Sequence, residues 1–367
     1  MCWKRRVWQG LKKSLLRHRR VGINKTLLEE KITAAWQRRG LLACVLWPLS
    51  QCYRVTTAAR RYAYRQGWLA SVRLPVPVIV VGNIFIGGTG KTPFAIWLVQ
   101  ALRQAGYVPG VISRGYGAEN SESSREVLAD SSATEVGDEP LLIAARGVCP
   151  VVVGRNRGAA AQALLQAHPE VNVIISDDGL QHYALQRDVE IVLFDGRGTG
   201  NGWLLPAGPL REAATRKRDF TIVNLASTES IPASLPASAV RMSLVGTVAE
   251  RLNDSTQTQA LSTLGQQSSR MLAAGGIGNP QRFFTLLKAS GLVITAMALP
   301  DHYDFSDNPF AGSDAEIILI TEKDAVKCRQ IAAIKNDPRI WVVPVIAKID
   351  DALANQILEK LRGHKIT

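Results

Sequence analysis

Val78-Ile79-Val80-Val81-Gly82-Asn83-Ile84-Phe85-Ile86-Gly87-Gly88-Thr89-Gly90-Lys91-Thr92-Pro93, residues 78–93, decides the fold. Val78 to Val81 is an unbroken apolar run, the mark of a strand buried on both faces of a parallel sheet. A glycine-rich turn ending in Gly90-Lys91-Thr92 follows. Pro93 stands where a first helical residue belongs, since its missing N–H costs nothing there. Phe94 to Ala105 then has helical character, closed by Gly106. Strand, glycine-rich turn and helix in this order form a phosphate-binding P-loop. Glycines let backbone N–H groups face phosphate oxygens, and the helix N-terminus adds its dipole. Lys91 would reach the β/γ oxygens, and the Thr92 hydroxyl would bind Mg2+. Gly87, Gly88, Thr89, Gly90, Lys91 and Thr92 are therefore candidate nucleotide-binding residues. One position departs from the usual pattern: Phe85 stands where a glycine is normal, leaving Gly87 and Gly88 to supply backbone freedom.

Outward from this turn, Val171 to Ser176 predicts a second strand running into Asp177-Asp178 and then Gly179-Leu180-Gln181-His182. An apolar strand ending in carboxylates is where P-loop enzymes hold the Mg2+ shell. A helix cap would account for one aspartate but not for two side by side. His182 reads equally well as a carbonyl-bonded loop residue or a functional one. Further strands are expected at Val108–Ile112, Val151–Val153, Val189–Phe194 and Phe220–Val223. With the helices between them they make a doubly wound α/β nucleotide-binding domain over residues 75–226. Ligands bind at the carboxyl ends of such strands. The loops there carry Ser113-Arg114-Gly115-Tyr116-Gly117, Gly137-Asp138-Glu139-Pro140 and Gly208-Pro209-Leu210-Arg211-Glu212. A kinase needs a group to take the proton from its acceptor hydroxyl. Asp138 and Glu139 are candidates, but acids also suit a helix start, and spacing alone does not separate the two roles.

Beyond residue 226 the composition shifts. Residues 227–270, rich in Ser, Thr, Gln and Pro, read as a linker region with a short strand at Val240–Leu244. A second, smaller α/β domain is expected over 271–367. It should contain strands Met271–Ala274, Leu292–Ala296, Ile317–Thr321 and Ile340–Val345 with a helix at Pro280–Ser290, closing over the first as a lid. Thr321-Glu322-Lys323-Asp324 has some likeness to a guanine-reading motif, but its lysine is displaced. It is read as a helix N-cap with surface charges.

The charge is unevenly placed. Residues 1–80 hold 17 Lys and Arg against 2 Asp and Glu, whereas the remaining 287 residues are close to neutral. In residues 1–74, Trp3, Val7, Trp8, Leu11 and Leu15 recur at helical spacing among basic residues. An uncharged stretch from Gly40 to Tyr53 follows, interrupted by Pro48 and too short to span a bilayer. An amphipathic or partly inserted arm lying on an anionic leaflet fits this pattern. A solvated basic helix fits less well. No nucleic-acid-binding module accompanies the charge, so nucleic acid is not an expected partner. The five cysteines are scattered without a C-x-x-C pair, which argues against a disulfide framework or zinc site and for a reducing compartment.

The runs VPVIVVGN, GGTGKTP, SRGYG, GDEP, DDGLQH, NGWLLPAGPLRE, AAGGIGNPQRFF and TEKDAVK together resemble the tetraacyldisaccharide 4'-kinase family over about residues 40–365. That family uses ATP to phosphorylate the lipid A precursor, an acylated disaccharide phosphate, at the cytoplasmic face of the Gram-negative inner membrane. The resemblance implies a P-loop at Gly87 to Thr92 and a family in which Phe85 is no departure. It implies a proton-accepting Asp138 paired with His302, residues that nothing in their spacing would have joined. It implies metal-side acids at Asp177, Asp178 and Glu212, with Arg211 beside the phosphates and Tyr116 on the nucleotide side. It also implies an N-terminal element associated with anionic inner-membrane lipids. Two other classes compete: a membrane-associated P-loop GTPase, which would need a true guanine motif, and a nucleotide-gated adaptor, which would not need Asp138.

Overall fold

The structure, a computed structural model, describes residues 35–115, 123–128, 130–226 and 228–363. The expectations for residues 1–34 and for Tyr116 lie outside the described residues. In chain order the first half holds α1 (Leu41–Arg65), β1 (Val78–Asn83), α2 (Lys91–Gln104), β2 (Pro109–Ser113), β3 (Arg125–Glu126), α3 (Ala133–Val136), α4 (Asp138–Gly147), β4 (Val151–Val153), α5 (Arg157–Ala167), β5 (Val173–Asp177), β6 (Val189–Asp195) and β7 (Phe220–Asn224). The second half holds β8 (Val240–Val245), β9 (Val248–Arg251), β10 (Thr258–Ala260), α6 (Leu261–Gln267), β11 (Met271–Gly275), α7 (Pro280–Ala289), β12 (Thr295–Ala298), β13 (Ile317–Thr321), α8 (Glu322–Cys328), α9 (Ala332–Lys335), β14 (Ile340–Val343), β15 (Ile346–Ile349) and α10 (Asp351–Gly363).

Nine strands among the described residues make the first sheet, in the order β15-β8-β7-β6-β1-β5-β2-β4-β3. From β8 to β4 every pairing is parallel, and an antiparallel strand closes each edge. All six residues of β1 are buried, as a central strand covered on both faces requires. On one face Phe94, Leu98 and Leu102 of α2 pack with Ile79, Val81 and, from α10, Leu353, Ile357 and Leu361. Burial of each such side chain is worth roughly 1.5–3 kcal/mol. On the other face α5 contributes Ala160, Ala161 and Leu164 beside Val78, Val80 and Phe194. Phe85, where a P-loop usually has glycine, is 1% exposed in this second core, with the Arg197 guanidinium over its ring at 4.3 Å. Pro93 falls two residues inside α2 rather than at its first position. It is still within the first turn, where N–H groups have no intrahelical partner.

The expected division at residues 227–270 and 271–367 needs correction. The segment read as linker carries β8, β9, β10 and α6, and β8 is a full member of the first sheet. The second sheet, β10-β9-β14-β13-β11-β12, is an insertion between β8 and β15. Val245 pairs with Ile346, so the chain leaves and re-enters the first sheet at neighbouring points. The return strand and α10 then pack on the first core rather than on the lid. The reason is local: β15 is four residues long with two exposed, and only Pro344 and Val345 separate it from β14, so its apolar signal merged with that of β14.

Pro48 does not break the arm as expected, for α1 runs unbroken through it. One side of α1 is docked: Ser50 Oγ donates to Leu204 O at 2.8 Å and Tyr53 Oη to Arg211 O at 3.1 Å. The other side exposes Val45, Leu49, Val55 and Tyr62, an apolar stripe at helical spacing. No helix among the described residues is long and apolar enough to cross a membrane.

Candidate active site

The turn after β1 is held open from below. Gly90 caps α2 with φ +89°, and a Cβ there would stand 2.5 Å from Asn224 Nδ2, so only glycine fits. Asn224, at the end of β7, donates that amide to Thr89 O at 3.2 Å and accepts at its own carbonyl from Arg282 of α7 at 2.9 Å. The inserted unit is thus wired to the phosphate turn through one asparagine. Asn83 closes β1 and forms a second hub. Its Nδ2 donates to Gly87 O at 2.8 Å, and its Oδ1 accepts from Lys91 Nζ at 3.4 Å and from Arg211. Asn83 was not singled out from the sequence. The available signal was a polar amide ending a wholly buried strand, directly before the glycine turn.

Two carboxylates face this hub. Asp178 takes both Arg211 Nη atoms at 3.2 Å and lies 3.7 Å from Lys91 Nζ. Burial would raise its pKa, but Lys91 and Arg211 outweigh it and hold the carboxyl below the usual range. Asp177 is buried and accepts from Ser113 Oγ at 3.1 Å, while its Oδ1 has no hydrogen-bond partner. Burial above all, with Glu139 adding to it, pushes its pKa up to about 7. An orphaned buried carboxylate oxygen at a strand end, with the Thr92 hydroxyl near the start of α2, suits a hard divalent cation such as Mg2+. Such an ion needs only one or two protein carboxylates beside phosphate oxygens and water.

Glu212 does not fit its expected place as a metal ligand. Its Oε1 accepts from Gln181 at 2.9 Å and Arg216 at 2.7 Å, and its Oε2 from Tyr183 Oη at 2.5 Å. With both oxygens so engaged it stands behind Arg211, which it reaches through Gln181. His182, left open by the sequence, has its Nε2 buried without a partner. Burial, with Arg157, Arg187 and other arginines nearby, lowers its pKa to about 4, so it is neutral.

The third group spans the two units. Asp138 opens α4 and is 5% exposed. Its Oδ1 accepts from the Glu139 N–H at 2.9 Å, the local helix-start role, and this leaves Oδ2 for other work. Oδ2 meets His302 Nδ1 at 3.0 Å and Lys327 Nζ at 3.5 Å. Burial would raise the pKa of Asp138, yet His302, Lys323 and Lys327 together bring it down to about 2. The hydrogen bond to Asp138 in turn raises the pKa of His302 against burial and Lys323. Although 164 positions apart in sequence, the two residues that only the family resemblance had joined are in contact.

The loop that carries His302 is itself anchored. The His302 N–H donates to Gly276 O at 3.1 Å, and the Gly276 N–H to Asp324 Oδ2 at 3.0 Å. Thr321 does cap α8, accepting from the Asp324 N–H at 3.2 Å. Its following charges, however, are not on the surface as expected. Asp324 is fully buried, and Lys323 Nζ binds Glu139 Oε1 at 3.0 Å. Arg146 of α4 completes the junction, gripping Glu322 at 2.6 Å and Glu250 at 2.9 Å. Sequence reading missed Lys323, Lys327 and Arg146 because their partners are more than 100 residues away. At the mouth of the site, a Cβ on Gly278 would stand 3.3 Å from the Gly88 backbone nitrogen, so the inserted unit's turn lies against the phosphate turn.

Comparison with known proteins agrees with this geometry. The family described as LpxK, tetraacyldisaccharide-1-P 4'-kinase, matches residues 42–362. The chain is 61% identical to the tetraacyldisaccharide 4'-kinase of Janthinobacterium sp. (strain Marseille), over 94% of this chain and 100% of that protein. It is 58% identical to the protein of the same name from Herminiimonas arsenicoxydans, over 94% and 99%. Among solved structures it superposes on LpxK from Aquifex aeolicus, an "apo" form in complex with ATP, with TM-score 0.71 and 28% identity. That match covers 88% of this chain and all of that one. A P-loop beside paired carboxylates, and a distant histidine brought onto the GDEP aspartate, are thus set in a chain that belongs to the tetraacyldisaccharide 4'-kinase family.

Proposed function

We propose that the chain is an ATP-dependent kinase that transfers the γ-phosphoryl group to the 4'-hydroxyl of a tetraacyldisaccharide 1-phosphate, the lipid A precursor. The observation that carries the assignment of roles is the 3.0 Å contact between Asp138 and His302 beside the Lys91 turn. Phosphoryl transfer is mainly positioning and charge neutralisation. The backbone of Gly87 to Gly90 would cradle the phosphates while Lys91 and Arg211 neutralise their charge. Asn83 holds both cations on one side of the site, and the loop with Tyr116 would lie on the nucleotide side. Mg2+, when bound, supplies further charge neutralisation, and Asp177, Asp178 and Thr92 are the residues that would hold it.

Asp138 Oδ2 would accept the proton of the sugar hydroxyl. Its low pKa makes it ionised at any physiological pH, and a weak base suffices when the nucleophile's proton leaves late in a loose transition state. His302, Lys323 and Lys327 hold that carboxylate in place. The GTPase reading is disfavoured by the same geometry, because Lys323 is bound to Glu139 and Asp324 is buried against Gly276. The outward stripe of α1 would rest on the anionic cytoplasmic face of the inner membrane, where the acceptor lies. The test is Asp138→Asn. ATP affinity should stay within about threefold of the parent while transfer falls at least about 100-fold. Transfer at the parental rate would remove Asp138 from the chemistry, and a nucleotide-gated adaptor would be indifferent to the change.

A further inference from the structure

A second cavity, of about 670 Å³, opens away from the phosphate turn. Its walls are the last turn of α1, the crossover from β5 to β6, and the start of β7. Seven basic and three acidic residues line it. The acids are already matched: Asp188 pairs with Arg73 at 3.0 Å, Glu190 with Arg216 at 2.6 Å and Arg187 at 3.0 Å, and Asp219 with Lys360 at 2.6 Å. Arg216 also holds Glu212, so the floor is a rigid ion-pair lattice. On the rim, Arg65 and Lys217 are exposed and have no carboxylate partner among the described residues. A cavity with a fixed floor and surplus cations at its mouth suits a phosphate group.

Its position says where that phosphate comes from. Arg65 is three residues beyond Tyr62, so cavity rim and apolar stripe adjoin on the surface of α1. Tyr62 and Trp68 meet edge to face at 5.6 Å and are 54% and 72% exposed. Exposed amphipathic rings beside arginine are the arrangement found at the headgroup level of a bilayer. We propose that this cavity is a non-catalytic site for the phosphate headgroup of an anionic bilayer phospholipid, whose acyl chains lie along Val45, Leu49, Val55 and Tyr62. The proposal rests on the reading that α1 lies at the membrane. It adds that one discrete cavity, rather than diffuse positive charge, selects anionic lipid.

The test is co-sedimentation of the full chain with phosphatidylcholine vesicles, with and without phosphatidylglycerol. Three forms are compared: the parent, Arg65→Gln with Lys217→Gln, and a control, Lys288→Gln with Lys335→Gln, which removes the same charge from exposed sites on the inserted unit. The cavity variant should lose about tenfold or more of its affinity for phosphatidylglycerol vesicles. Its residual binding to phosphatidylcholine, its melting temperature and its transfer activity on detergent-dispersed substrate should be unchanged. The control should bind as the parent does. Lys217→Gln alone serves as the variant if the pair lowers the melting temperature. Parental binding by the cavity variant overturns the proposal, as does equal loss in the control. Equal binding of the parent to vesicles with and without phosphatidylglycerol, together with cavity-dependent binding of inorganic phosphate, also overturns it, because the site would then take a free anion and not a lipid headgroup. A parent that ignores all vesicles overturns the membrane reading itself, a result distinct from the others.

Discussion

Asn83 shows how a single side chain can organise a site built from charges. Its amide faces the turn at Gly87 while its carbonyl oxygen receives Lys91 and Arg211, so two cations that would repel share one acceptor. Asn83→Ala should lower kcat/KM for ATP by about 10- to 100-fold, the cost of leaving such groups without a partner. Steady-state kinetics checks this, and an unchanged value would mean the cations are placed by other means. The Asp138–His302 pair makes a pH prediction. Asp138, depressed to about 2, contributes stability above its unfolded value that is lost as pH falls through 2. His302, raised, contributes stability that is full below about pH 6.5 and is lost as pH rises through its higher folded value. As pH rises above about 6.5 the melting temperature of the parent should therefore fall more steeply than that of His302→Gln. Parallel slopes would contradict the pairing. Lys91, Asp177 and Asp178 were legible in the sequence because each sits directly at the end or start of a recognisable element. His302 and Lys327 were not, since their meaning depends on a partner far along the chain.

Elements tell a similar story. Strands with continuous apolar runs, such as Val78–Val81 of β1 and Ile317–Ile320 of β13, were visible because burial on both faces favours apolar side chains at successive positions. Strands β9 and β10, the latter at a sheet edge, were hidden in a polar segment because each leaves residues exposed to solvent, and β15, at the edge of the first sheet, merged with the apolar run of β14. Helix α4 is the element that joins the two units, through Asp138 and Glu139 at its start and Arg146 at its end. Arg146→Ala would leave Glu250 and Glu322, each about nine-tenths buried at the side chain, without their cation. The arginine is itself 38% exposed, so the penalty is set below that of a fully buried pair, at about 2 kcal/mol. Denaturant unfolding should show that loss. A change under about 0.5 kcal/mol would mean that water replaces the arginine freely.

At the scale of the molecule, an inserted unit reaches the first sheet by two adjacent connections and meets it again at the active site. Gly278 lies against Gly88 across that meeting. Gly278→Val should hold the turns apart and reduce kcat by about tenfold or more, as displacement of a positioned group does, with no loss of ATP binding. A parental kcat would show that the two turns need not touch during turnover. The helix α1 adds a further link, because Tyr53 and Arg61 bind the loop of Arg211 and Glu212. The element that would face the membrane thus touches the loop that would face the phosphates. The most direct test of the whole account is to incubate the purified chain with γ-labelled ATP and tetraacyldisaccharide 1-phosphate, and to locate the label by hydrolysis and phosphorus NMR. The account predicts label on the 4'-oxygen of the distal sugar, dependent on Asp138. Folded, ATP-binding protein that leaves the disaccharide unlabelled would contradict it.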